Sequence, residues 1–117
     1  MEDEKLGEIL ISIIGLLIII PSLIFLHSIP EEIAIQSSGF DPNDTSTYTG
    51  PVTWTNKDNK IHRVISDYGW FDSGNLMPGQ SYTYDFSWHD LGYYHYHDSM
   101  NTSMKGRIQV EMIDGDG

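Results

Sequence analysis

From Ile9 to Leu26 the sequence ILISIIGLLIIIPSLIFL runs for eighteen residues without a charge, and none appears again before Glu31. This run removes the first quarter of the chain from any small water-soluble core. As a helix, the run from Ile9 to Leu26, or on to Pro30, would measure about 27–33 Å, enough to cross the hydrocarbon core of a bilayer. Pro21 is tolerated in a helix of that kind. The run is longer than the apolar stretch of a signal peptide, and no small-x-small cleavage pattern follows it, so an uncleaved anchor is expected. Lys5 precedes the run and Glu31 and Glu32 follow it, which favours an inside N-terminus and an outside domain. The expected organisation is a short cytoplasmic tail (1–8), a transmembrane helix (9–30), a folded domain (31–113) and an acidic tail (114–117). The chain is then a single-pass membrane protein with its soluble domain extracytoplasmic.

Charge and composition narrow what that domain does. The chain carries 17 acidic and 6 basic residues, a net charge of −11. Nucleic acid is excluded as a partner, because a phosphate backbone needs a basic face. There is no cysteine. Disulfides, iron–sulfur clusters, thiolate zinc sites and cysteine nucleophiles are therefore all excluded. Fourteen aromatic residues and regular turn signals indicate an ordered domain.

The soluble part alternates with a period of two. IAIQSSGF (33–40), VTWTN (52–56), HRVIS (62–66), SYTYDF (81–86), GYYHYH (92–97) and GRIQVEM (106–112) read as strands. DPNDTSTYTGP (41–51) reads as a polar loop and LMPGQ (76–80) as a turn. Short strands without helical periodicity predict an all-β antiparallel sandwich or barrel.

Three ordered motifs resemble the cupredoxin family. VTWTNKDNKIHRV (52–64) is similar to V-x-W-x-N-x-D-x-x-x-H-x-V. FDSGNLMPGQSYTYDF (71–86) is similar to the family's F-D-S-G-x-L-x-P-G hairpin. GYYHYHDSMNTSMKGRIQV (92–110) resembles its final pair of strands. The resemblance covers residues 33–112. It implies a cupredoxin-like Greek-key β-sandwich of eight strands, whose usual task is electron transfer through one copper ion.

The family's ligand loop, G-x-Y-x-Y-x-C-x-x-H-x-x-M-x-G, lies on Gly92 to Gly106 without a gap. The resemblance puts the first histidine ligand at His62 and the methionine at Met104. The cysteine position falls on Asp98 and the second histidine position on Asn101. Blue-copper chemistry needs a copper–thiolate bond, so no type 1 copper is expected. The set His62, Asp98, Asn101 and Met104 mixes a hard carboxylate with a soft thioether and matches no single ion well. The expected outcome is a hydrogen-bonded polar plug.

A second candidate site follows from strand parity. Tyr94, Tyr96 and Asp98 share one face, which the cupredoxin resemblance makes the core face, and Tyr93, His95 and His97 share the opposite one. Two neighbouring imidazoles suit copper or zinc. GYYHYHDSMN (92–101) also resembles the G-x-[WY]-H-x-H strand in the periplasmic subunits of methane and ammonia monooxygenases, where the pair helps to bind copper. A third ligand is needed, and His27 and His89 are the candidates. The alternative is that His95 and His97 are ordinary outward residues packed against a partner subunit. Trp54, Trp70 and Trp88 read as core or rim packing. Met77, Met100 and Met104 read as gap fillers or Cu(I) contacts. Asn43 and Asn101 lie in glycosylation sequons.

No nucleophile triad, phosphate loop or paired-carboxylate signature is present, and no catalysis by this chain alone is expected. The expected function is a membrane-anchored accessory subunit among integral membrane proteins. A copper-dependent monooxygenase is the favoured host. A copper-binding or copper-delivery protein is the alternative, and an electron-transfer subunit of a respiratory oxidase follows it.

Overall fold

The computed structural model describes residues 31–48 and 50–112. The expected tail, transmembrane helix and acidic end, and with them His27, lie outside the described residues. Eight strands form: β1 (Glu31–Gln36), β2 (Gly39–Asp41), β3 (Asp44–Thr47), β4 (Pro51–Asn56), β5 (Val64–Ser66), β6 (Ser81–Asp85), β7 (Gly92–Asp98) and β8 (Asn101–Val110). No helix occurs among the described residues. The strands build two four-stranded sheets, β2-β1-β4-β6 and β3-β8-β7-β5.

The core lies between the sheets and is supplied by the alternation. On β1 and β4 the inward residues are Ile33, Ile35, Val52 and Trp54, all buried. On β7 and β8 they include Tyr96, Ile108 and Val110. The outward hydroxyls of β4 and β6 form cross-strand pairs, Thr53 with Thr83 at 2.6 Å and Thr55 with Ser81 at 2.7 Å. Trp54 is the centre of an aromatic cluster, 5.2 Å from Tyr96 and 5.3 Å from Phe71 between ring centroids.

Several expectations are corrected. Residues 41–51 are not simply a loop, because β3 forms inside them and pairs parallel with β8 from Asp44↔Arg107 to Thr47↔Val110. The sheets are not purely antiparallel, since β1 also runs parallel to β4. The stretch 33–40 splits into β1 and β2, which pair across the Ser37–Ser38 turn. His62 precedes β5 and makes an isolated bridge to Leu76. The last strand starts at Asn101, so β7 and β8 are joined by only Ser99 and Met100. The 76–80 turn is as expected: Gln80 N–H donates to the Met77 carbonyl at 2.9 Å, and Gly79 takes φ +86°, which favours glycine.

The two ends of the sandwich differ. At the proximal end β1, β4 and β7 begin and β6 and β8 end. At the distal end β1, β4 and β7 end and β8 begins. The loops carrying Asp58, His62 and Met100 gather there.

Candidate functional site

The distal site is assembled from the end of β4 outward. Asn56 is fully buried, and its side-chain N–H groups donate to the carbonyls of Lys60 at 2.7 Å and Leu76 at 2.9 Å. Its side-chain oxygen accepts from Asp58 N–H at 2.9 Å. One asparagine thus shapes the 57–61 loop and ties it to the 76–80 turn. That loop presents Asp58 and, at its close, His62.

His62 is buried between two carboxylates. Its Nε2 meets Asp58 Oδ2 at 2.8 Å, and its Nδ1 is bonded directly to Asp98 Oδ2. Asp98 is fully buried at the end of β7. Its other oxygen accepts from the backbone N–H groups of Met100 at 2.9 Å and Arg63 at 3.1 Å. This oxygen therefore caps the two-residue turn between β7 and β8. Ionised carboxylates only accept hydrogen bonds, so the arrangement is satisfied on both sides only when His62 carries a proton on each nitrogen. Burial alone pulls the imidazole pKa down. The hydrogen bonds to Asp98 and Asp58, and their negative charges, outweigh burial and raise it above the ordinary 6.5. Asp58 is held below its ordinary 3.8, chiefly by its hydrogen bond to His62.

The other two expected positions diverge. Met104 is buried beside His62 and lines a cleft of about 270 Å³ with Asp58, Met100 and Asn101. Asn101 is exposed, and its side-chain oxygen accepts from the Ser103 hydroxyl at 2.6 Å and the Ser103 N–H at 3.3 Å. These residues do not fit the copper that the fold implies. Where the resemblance expects a thiolate there is Asp98, a carboxylate bonded to His62, and both nitrogens of His62 are engaged. Asp58 and Asp98 lie on opposite sides of the imidazole ring and cannot share one ion with it. Among the described residues no group of three or more His, Cys, Asp or Glu side chains is placed to hold a metal.

The outer histidines sit as parity requires. His95 is exposed and His97 half-buried on the face opposite Tyr96 and Asp98. His97 Nδ1 is 2.8 Å from Asp67 Oδ1. His95 lies across from Arg107, which pairs with Asp44 and covers the Tyr93 ring at 4.4 Å. His89 does not join them. Its Nε2 and the Tyr84 hydroxyl share a hydrogen bond at 2.7 Å, and its ring packs against Trp70, Phe86 and Tyr94. Tyr94 belongs to the inward face, so His89 is on the wrong side of β7 to complete a site with His95 and His97.

Sequence reasoning gave Asp58, Asn56 and Asp67 no part in either site. Asp58 and Asn56 stood in the motif N-x-D-x-x-x-H, where the spacing leaves a loop short enough to fold the carboxylate back on the ring. Asp67 had no comparable signal, being thirty residues from His97.

The Cupredoxin-like domain family matches residues 9–110. No curated protein matches the chain. A solved structure described as a novel purple cupredoxin from Nitrosopumilus maritimus is 25% identical, with a TM-score of 0.63, covering 69% of this chain and 99% of that one. A copper-containing nitrite reductase from Thermus scotoductus SA-01 is 22% identical, with a TM-score of 0.65, covering 73% of this chain and 23% of the enzyme. A Cu(I) form of an amicyanin variant is 23% identical, with a TM-score of 0.62, over 70% of this chain and 82% of amicyanin. With its family motifs, its two-sheet sandwich and a family match over most of its length, the chain belongs to the cupredoxin-like domain family.

Proposed function

We propose that this protein is a membrane-anchored, extracytoplasmic cupredoxin-like accessory subunit that keeps the copper-protein fold without its electron-transfer centre. The observation that carries this reading is the buried bond between His62 and Asp98. It closes the place where a thiolate and a metal would meet. The charge-free run 9–30 supports anchoring, and Lys5 before it with Glu31 and Glu32 after it supports an outside domain. The favoured host is a complex of integral membrane subunits resembling ammonia or methane monooxygenase, on the strength of the GYYHYH strand. A respiratory oxidase is the second host.

The alternative is copper binding or delivery through His95 and His97, favoured by their shared outer face on β7. Purification of the full chain from membranes separates the readings. Integral subunits co-purifying in fixed ratio, with no copper bound to this chain, support the accessory role. A chain recovered without partners but with stoichiometric copper overturns it in favour of delivery.

A further inference from the structure

All five exposed aromatic residues among the described ones, Tyr48, Tyr68, Trp70, Trp88 and Tyr93, lie at or beside the proximal end. Leu91 joins them, also exposed. The exposed large apolar residues of the distal end are aliphatic: Ile61, Met77 and Met100. Trp88 is 92% exposed in the loop between β6 and β7, and Tyr68 is 80% exposed in the turn after β5. Trp70 stands on His89 at 4.7 Å between ring centroids and near Tyr94 at 6.5 Å, which fixes its ring while leaving half of it in solvent. Monomers rarely leave clustered tryptophans uncovered without a use for them.

The position of the chain end identifies the occupant. β1 begins at Glu31, pairs there with Val52 at the start of β4, and so starts at this same proximal end. The charge-free run stops at Pro30. In the sequence that run leads directly into β1 at Glu31. If residues 9–30 cross a bilayer, the proximal end is held against the membrane surface, and its aromatic side chains fall at headgroup depth. Tryptophan and tyrosine favour that depth because the ring is apolar and the N–H or O–H polar.

We propose that the proximal end, through Trp88, Trp70 and Leu91, is a membrane-contact surface that seats the sandwich on the bilayer interface. This rests on the anchoring in the proposed function. Its occupant is zwitterionic lipid. Glu31, Glu32, Asp85 and Asp90 border the surface, and they oppose an anionic leaflet. The seven residues of β7 then raise the His62–Asp98 end about 20 Å above the surface, facing away from the lipid.

The test uses the full chain in phosphatidylcholine vesicles carrying lipids brominated near the headgroup. The chain has three tryptophans, and Trp54 is fully buried. Lipid-dependent quenching therefore reports Trp70 and Trp88. The expected result is quenching by the brominated lipid and poor quenching by acrylamide. Trp88→Phe should remove part of the lipid-dependent signal, and Trp88→Phe with Trp70→Phe should remove it all. Added phosphatidylserine should reduce it. Trp88 packs on little, so its variant tests contact rather than folding. A chain that resists carbonate washing but whose tryptophans are quenched by acrylamide alone overturns the membrane contact and leaves the anchor standing. Protection from both quenchers also overturns it, since a protein then covers the patch. A chain that washes out of the vesicles overturns the anchor and this inference with it.

Discussion

Replacing Asp98 by asparagine tests the central feature of the site at almost constant volume. The variant can still accept from the N–H groups of Arg63 and Met100, so the β7–β8 turn keeps its cap. What it loses is the negative charge facing His62 Nδ1. A hydrogen bond to a charged group contributes about 1.5–3 kcal/mol, and His62 is buried enough for that range to apply. For a domain of this size each kcal/mol moves Tm by roughly 4–8 °C, so a loss near 2 kcal/mol lowers Tm by about 8–16 °C.

The effect depends on pH, and its sign follows from His62. The folded pKa is raised above 6.5, so the stabilisation is fully present below 6.5 and is lost as pH rises through the folded value. The Asp58–His62 bond is kept in both proteins and limits their shared stability in acid. The folded pKa of Asp58 lies below 3.8, so its contribution is present above 3.8 and fades as pH falls through the folded value. The difference between wild type and Asp98→Asn is therefore largest near pH 6 and narrows in alkali. Thermal unfolding followed by near-UV circular dichroism at several pH values measures it. An NMR titration of the His62 ring gives the pKa directly. A wild-type midpoint at or below 6.5, or equal melting of the two proteins near pH 6, would refute the reasoning.

Three further outcomes are expected. Cu(II) added to the wild-type chain should give no intense visible charge-transfer band, whereas Asp98→Cys with Asn101→His should bind copper and colour; a folded but colourless double variant would break the gap-free placement of the ligand loop on Gly92 to Gly106. Gly106→Ala should unfold the domain at moderate temperature, because the new Cβ would lie 2.1 Å from the buried Tyr96 ring; overpacking of this kind costs about 1–3 kcal/mol or more, and an unchanged melting curve would show that Tyr96 can move. His95→Ala with His97→Ala should leave the fold nearly intact, since outward changes alter stability by about 0.5 kcal/mol, and should weaken co-purification of partners without altering metal content; loss of bound copper would restore the outer metal site.

Much of the sandwich was legible because its inward residues sit in local alternation. Val52, Trp54 and Asn56 announce β4 by themselves, and Tyr94, Tyr96 and Asp98 announce the inner face of β7. β3 announces nothing. Thr47 is its only buried side chain, and its ladder is supplied by β8, more than sixty residues away. A strand held by a remote edge leaves no periodic trace in its own sequence. The same division runs through the candidate site. That a carboxylate stands at the aligned thiolate position could be read from Asp98, because one position decides it. The state of His62 was not, because it depends on a loop geometry that Asn56 imposes and on a second carboxylate folded back from Asp58.

The outer face shows the limit of parity as a functional argument. Parity correctly sends His95 and His97 outward together, but a metal site also needs a third group converging on them. His89 is close in sequence yet separated by the sheet, since its partners Tyr84, Phe86 and Tyr94 belong to the inward aromatic cluster. Asp67 is distant in sequence yet touches His97, because the turn after β5 brings it across. What surrounds β7 is thus a pair of carboxylate-anchored histidines, one buried at the distal end and one on the outer face. In both, the imidazole nitrogen that faces the carboxylate is committed to it. A copper site at the aligned positions would need a His62 nitrogen for the metal. Here both bonds fasten loops to the sandwich, and the His62–Asp98 pair shapes the distal surface.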